Sequence, residues 1–160
     1  MAEMWDFYFA RIEGNIGSIF VNLGLEPDAP LPRHTHVVEL RLTMRDPRPD
    51  GLSSANEYDT LVEIEHAMTR ASNRSAIYVG RATHSGRRDL FFYTAKPDET
   101  ELALKRAMGS FPDYAFEVVS QPDAAWDVYR KYLLPSARDR QTMADRGVFD
   151  SLQKSGDACT

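Results

Sequence analysis

Cysteine is nearly absent from this chain. Cys159, next to the last residue, stands alone, so neither an internal disulfide nor a site built on several thiolates is available. That usage is ordinary for a reducing compartment. Long apolar runs are missing as well: no stretch approaches the roughly 18 residues that a membrane-spanning helix needs. The opening residues, Met1-Ala2-Glu3-Met4-Trp5-Asp6, lack the basic and apolar regions of a secretory signal, and a cytoplasmic location with no membrane span is expected. Positive charge is also short. Lys and Arg number 19 against 24 Asp and Glu, a formal net charge of −5, which disfavours a broad grip on nucleic acid phosphates or an anionic membrane. Finally there is no Gly-rich phosphate loop, no Gly-x-Ser-x-Gly elbow and no recognised spacing of metal ligands. The usual signatures of nucleotide, esterase and zinc chemistry are therefore lacking, and no catalytic residue, metal or cofactor is assigned.

What remains is an ordinary globular composition, 42% hydrophobic, 11% aromatic and 27% charged, over 160 residues. That length suits one domain, which reads in three parts: residues 1–34, 35–120 and 121–160. In the first part, residues 5–12 and 18–23 are rich in aromatic and branched side chains, and Gly14-Asn15 between them supplies a tight turn, so they predict a hairpin. Pro27, Pro30 and Pro32 then predict a stiff extended connector.

In the second part, Val38, Leu40, Leu42 and Met44 alternate with Glu39, Arg41, Thr43 and Arg45, the pattern of a strand with one apolar face. Ser54 with Glu57 reads as a capping box before a helix whose buried stripe would be Tyr58, Leu61, Ile64, Met68 and Ala71. Residues 76–83 and 90–94 predict a second hairpin around His84-Ser85-Gly86-Arg87. Asp98 with Glu101 predicts a second capped helix carrying Leu104, Ala107, Met108 and Phe111, and residues 114–120 a further strand. From 35 to 120 the order is strand, helix, strand, strand, helix, strand. The expected fold is therefore α+β, a ferredoxin-like βαββαβ core with both helices on one face of an antiparallel sheet. The first hairpin would extend one edge. In the third part Asp123 can cap a short helix bearing Trp126, Tyr129 and Leu133, and Ser136 with Asp139 can start another after Pro135.

The most unusual stretch interleaves cations with aromatics: Tyr78 and Arg81, then Arg87 and Arg88 leading to Phe91, Phe92 and Tyr93. On paired strands, Tyr78, Arg81, Arg87, Arg88 and Tyr93 would offer forked donors to a carboxylate, a phosphate or an acidic protein, or would simply pack the hairpin. Trp126 and Tyr129 would dock the tail on the sheet, or anchor a partner or a second subunit. His34, His36, His66 and His84 have no convergent spacing, so a hydrolase or nuclease built on them is the weaker alternative. The aromatic and basic signature of an RNA recognition motif is not matched.

Taken together, Trp5-x-Phe7-Tyr8, Tyr78-Val79-Gly80-Arg81, Gly86-Arg87-Arg88 before Phe92-Tyr93, and Trp126-x-x-Tyr129 before Leu134-Pro135 resemble the bacterial DUF695 family, a domain of unknown function. The resemblance spans nearly the whole chain and carries no catalytic residue. Arg146-Gly147-Val148-Phe149 through Gly156-Asp157 is similar to the opening of a domain like the regulator of ribonuclease E activity, type B, which follows this domain in some relatives. The resemblance implies a bacterial cytoplasmic binding or regulatory module whose partner is another protein or such an adjoining domain. A homo-oligomer and a small-anion site on the same arginines are the other expectations.

Overall fold

The computed structural model describes the backbone of residues 2–158 and the side chains of residues 2–147; Cys159 and most of the segment similar to the ribonuclease E regulator lie outside the described side chains. Its centre is a six-stranded, wholly antiparallel sheet. The strands are β1 (Trp5–Ile12), β2 (Asn15–Asn22), β3 (His36–Thr43), β4 (Ala76–His84), β5 (Arg87–Thr94) and β6 (Phe116–Pro122). They lie in the order β1-β2-β4-β5-β3-β6, so the first hairpin extends the sheet at the β4 edge. The helices are α1 (Tyr58–Ser72), α2 (Pro97–Met108) and α3 (Ala137–Ala158). Among the described residues no helix is long and apolar enough to cross a membrane.

Both hairpins close through two residues with positive φ, Glu13-Gly14 and Ser85-Gly86. That is the turn geometry whose twist matches antiparallel strands, and each glycine takes one of the two positions without steric cost. Gly80 meets a different demand. A Cβ there would stand 2.7 Å from the Phe20 carbonyl oxygen, so only glycine lets β2 approach β4 beside the irregularity between Tyr78 and Gly80. Gly80→Ala is therefore expected to cost about 1–3 kcal/mol, with hydrogen-exchange protection lost first from residues 5–22. Unchanged protection there would show that β2 and β4 accommodate the methyl group without separating.

The sheet has a core on each face. Val38, Leu40, Leu42, Leu90 and Phe92 point to the side covered by α1 and α2, where Leu61, Ile64, Met68, Leu104 and Met108 close the layer. Val37, Phe91 and Tyr93 point to the other side, with Tyr8, Ile19, Val21 and Val79, against Trp126, Tyr129, Leu133 and Met143 of the C-terminal segment. Because β5 is central and covered on both sides, Leu90 to Tyr93 is a continuous buried run.

Several local expectations are corrected. Ser54 makes no side-chain cap; Glu57 is buried and its carboxylate accepts from the Arg45 and Asp46 amides and from the Tyr114 hydroxyl. Those hydrogen bonds outweigh desolvation and hold its carboxyl below the usual range. Tyr58 and Ala71 lie outside the buried stripe, which runs Leu61, Ile64, Met68, Ser72 because the contact line follows 3.6-residue turns. The second helix starts at Pro97, whose ring presets φ for a first helical turn, so Asp98 sits inside it and cannot cap. The proline connector is in part a 3-10 turn, Leu23–Asp28, begun by the Asn22 side chain accepting from the Gly24 amide. The tail helix is replaced by a wide π-helical turn, Val128–Leu133. Its N-cap position is Asp127, without a side-chain cap; Asp123, four residues earlier, accepts from the Asp127 and Val128 amides instead, and Ser136 with Asp139 forms the reciprocal box expected of them.

Candidate functional site

The interleaved arginines and aromatics do not make one platform, because strand alternation sends them to opposite faces. Tyr78, Arg81 and Arg88 are on the helix side. Tyr78 donates its hydroxyl to Glu65 of α1, and Arg81 pairs with the same carboxylate while its guanidinium lies 4.4 Å from the Phe20 ring centre. Arg88 is buried and donates to the Thr83 and Ser53 hydroxyls; burial, aided by Arg81, pushes its pKa down to about 10. Arg87 alone lies on the other side, at the rim, paired with Asp89. Tyr93, Trp126 and Tyr129 are wholly buried there. The Trp126 and Tyr93 rings stack at 4.0 Å, Trp126 Nε1 donates to the His34 carbonyl, and Tyr129 donates its hydroxyl to the Asn22 carbonyl. Trp126 and Tyr129 thus dock the tail and are not on the surface.

What the surface does carry is an apolar face on the first hairpin. Trp5, Phe7 and Phe9 of β1 share the helix side with Phe20 and Ile16 of β2, beside the layer of α1 and α2; α1 faces Trp5 across a cleft, and Phe9 and Ile16 lie farther out. Phe9 is 56% exposed, Ile16 43% and Phe7 39%. The free edge of β1 beside them is blocked at one point. The Asp6 carboxylate accepts from the Phe7 amide, and Arg146 of α3 donates to the Phe7 carbonyl and lies over its ring. An incoming strand therefore finds both outward backbone groups of Phe7 occupied.

On the opposite face, a cleft of about 380 Å³ opens between the strand ends and the C-terminal segment, lined by Arg11, Ile12, Glu13, Glu39, Arg87, Asp89, Phe91, Val128 and Tyr132. Asp89 is 1% exposed. Its Oδ2 accepts from Arg87 at 3.1 Å, while its Oδ1 accepts from no described residue. Burial and the Glu39 carboxylate raise its pKa to about 6, against the pull of Arg87. Tyr132, edge-on to Phe91, feels the same groups: burial, Asp89 and Glu39 push its hydroxyl up to about 12.

The histidines scatter. His36 pairs with Thr94 at one end of β5 and His84 with Arg87 at the other, about 23 Å apart at roughly 3.3 Å per residue, while His66 is on α1. Among the described residues no three His, Cys, Asp or Glu groups could hold a metal ion. His84 stands between Ser85 Oγ at 3.1 Å and Asp89 Oδ2 at 3.8 Å, an order that suggests a charge relay. The second distance exceeds a hydrogen bond, and the Gly86 amide beside Ser85 already donates to the Gly51 carbonyl, leaving it no role at an oxyanion.

Asp89, Glu39 and Tyr132 were not singled out from the sequence. The signal was a charge inside a strand, two residues before Phe91 on the same face, which places a carboxylate where packing would otherwise put an apolar side chain. Phe7 and Phe9 had a signal too. Apart from Asp6 and Arg11 the run 5–12 is apolar on both alternations, as a strand with two faces to cover requires.

These features define an α+β protein with an antiparallel sheet covered on both faces, an open aromatic hairpin and a carboxylate-floored cleft. The chain belongs to the DUF695 family, described as a family of unknown function, whose pattern matches residues 3–134. The matched region ends at Leu134, so it includes the turn that carries Trp126, Tyr129 and Leu133 onto the sheet. No curated protein matches the chain.

Proposed function

We propose that the protein is a non-catalytic binding module of the bacterial cytoplasm that receives an amphipathic helix of a partner protein on the uncovered face of the β1–β2 hairpin. The observation that carries this is the exposure of Phe7, Phe9 and Ile16 on one face, beside a helical layer that stops short of them. Residues 36–122 are read as a ferredoxin-like unit, a reading supported by the strand order β4-β5-β3-β6 and by α1 and α2 packing on each other. Two helices about 10 Å wide cover about four strands spaced about 4.8 Å apart, and the two hairpin strands leave room for one more helix. Large contiguous apolar patches on a monomer's surface mark interaction sites. Arg146, where the segment similar to the regulator's opening begins, lies over Phe7 at the rim of this face.

The test is a photo-crosslinking amino acid placed at Phe9 or Ile16 in cells, with Leu102 of α2, also exposed, as control. The expected adducts join positions 9 and 16 to a single amphipathic segment of another protein, and Phe7→Asp abolishes them. Adducts only with the same chain, adducts shared with position 102, or a concentration-dependent dimer dispersed by Phe9→Asp would each overturn the assignment.

A further inference from the structure

The face opposite the hairpin's open side holds a second candidate, independent of the first. The cleft over Asp89 is within the size range of small-molecule sites, and its walls combine two rings, Phe91 and Tyr132, with Val128 and Ile12. Its floor is a carboxylate almost wholly removed from solvent. Arg87 satisfies one oxygen of Asp89, and no described residue donates to the other. Behind it His84, equally buried, leaves Nε2 without a hydrogen-bond partner, 3.8 Å from Asp89 Oδ2. Buried polar atoms nearly always have a partner, in the protein or in ordered water, so the orphaned oxygen of a buried carboxylate that lines a cleft points to a donor entering through that cleft.

The chemistry of the lining narrows that donor. An anion would face Asp89, Glu39 and Glu13, while Arg87 is held by Asp89 and Arg11 donates to the Gly14 carbonyl, so the guanidinium groups are engaged. A metal ion would lack a third ligand, since no described cluster supplies one. A charged N–H donor makes the stronger hydrogen bond to a buried carboxylate, and aromatic faces attract an ammonium group. We propose that this cleft binds a small organic cation, a primary ammonium group on a short carbon chain, with the ammonium on Asp89 Oδ1 and the chain against Phe91, Val128 and Tyr132. Glu39 adds negative potential beside the ammonium; its own oxygens are paired with Arg41, so it steers and does not ligate.

Putrescine is the probe, with 1,4-butanediol as its neutral match and sodium chloride at equal ionic strength as control. The expected result is a saturable change in the amide resonances of Phe91, Val128 and Tyr132 with putrescine alone. Asp89→Asn should weaken binding at least tenfold while the variant stays folded, and Tyr132→Leu should weaken it less. Phe9→Asp, on the hairpin face, should leave binding unchanged, which separates this site from the protein-binding surface. Equal response to butanediol, unaltered putrescine binding in Asp89→Asn, or no saturable response to putrescine, ethanolamine or agmatine would overturn the proposal.

Discussion

Asp89→Asn is expected to make the protein more stable at neutral pH and to flatten its stability between pH 4 and 6. The wild-type carboxyl titrates near 6 in the folded protein, against an ordinary 3.8, because burial and Glu39 disfavour its charge more than Arg87 favours it. Between those two values the folded state holds a proton that the unfolded chain has released. The contribution of Asp89 to stability is thus most favourable below about pH 4, falls as pH rises through about 6, and is level above, opposite in sign to that of Glu57. A shift of about two units corresponds to roughly 3 kcal/mol, and relief of that size raises Tm by about 5–10 °C in a chain of this length. Asparagine keeps the shape and still offers Arg87 an oxygen, and Arg87 is exposed enough to be solvated without an ion pair. Urea titrations of both proteins at pH 4, 5, 6 and 7.5 measure the difference. Parallel curves across that range, or a variant less stable at pH 7.5, would show that Arg87 compensates the buried charge fully. A carboxylate that costs stability where a neutral isostere would not is the pattern of a residue retained for binding.

Trp126→Ala should have the opposite sign and a larger size. The ring is fully buried, stacked on Tyr93 and edge-on to Tyr129, and its Nε1 donates to the His34 carbonyl at 2.8 Å. Truncating such a side chain costs about 3–5 kcal/mol. Trp126 also has φ +58°, an unusual conformation for a bulky residue that its packing must sustain. Hydrogen exchange is expected to show protection lost from residues 123–143 and from β1, whose Tyr8 hydroxyl donates to the Leu133 carbonyl, before it falls in α1 and α2. The milder Tyr129→Phe, which removes only the hydroxyl donor to Asn22, should cost about 1 kcal/mol and open the same region. Simultaneous loss across both cores in both variants would show that the C-terminal segment and the helical layer unfold as one unit.

How much was legible beforehand depended on how local the cause was. The alternation of Val38, Leu40 and Leu42 placed a strand and its helix-facing side correctly, because period two leaves only a choice of face. The Ser136–Asp139 box formed as read, since its partners are three residues apart. The Ser54–Glu57 box failed for the reverse reason: Tyr114, 57 residues away, offered Glu57 a hydroxyl that a local pattern cannot announce. The arginine and aromatic stretch was noticed for its composition. Its division between two faces follows from alternation, but burial of the Phe91 and Tyr93 face depended on where the C-terminal segment docked.

The order of residues alone settled the six strands, the three α-helices and their sequence, a glycine in each hairpin turn, most of the apolar stripes, and the absence of a site built on several thiolates, since each follows from neighbours within a few positions. Tertiary structure decided the rest: the edge that the first hairpin joined, the burial of Trp126 and Tyr129, the exposure of Phe7 and Phe9, and the meeting of Asp89, Glu39 and Tyr132. Those outcomes hang on contacts across tens of residues, where packing of two faces of one sheet determines which side chains lose their water and which keep it.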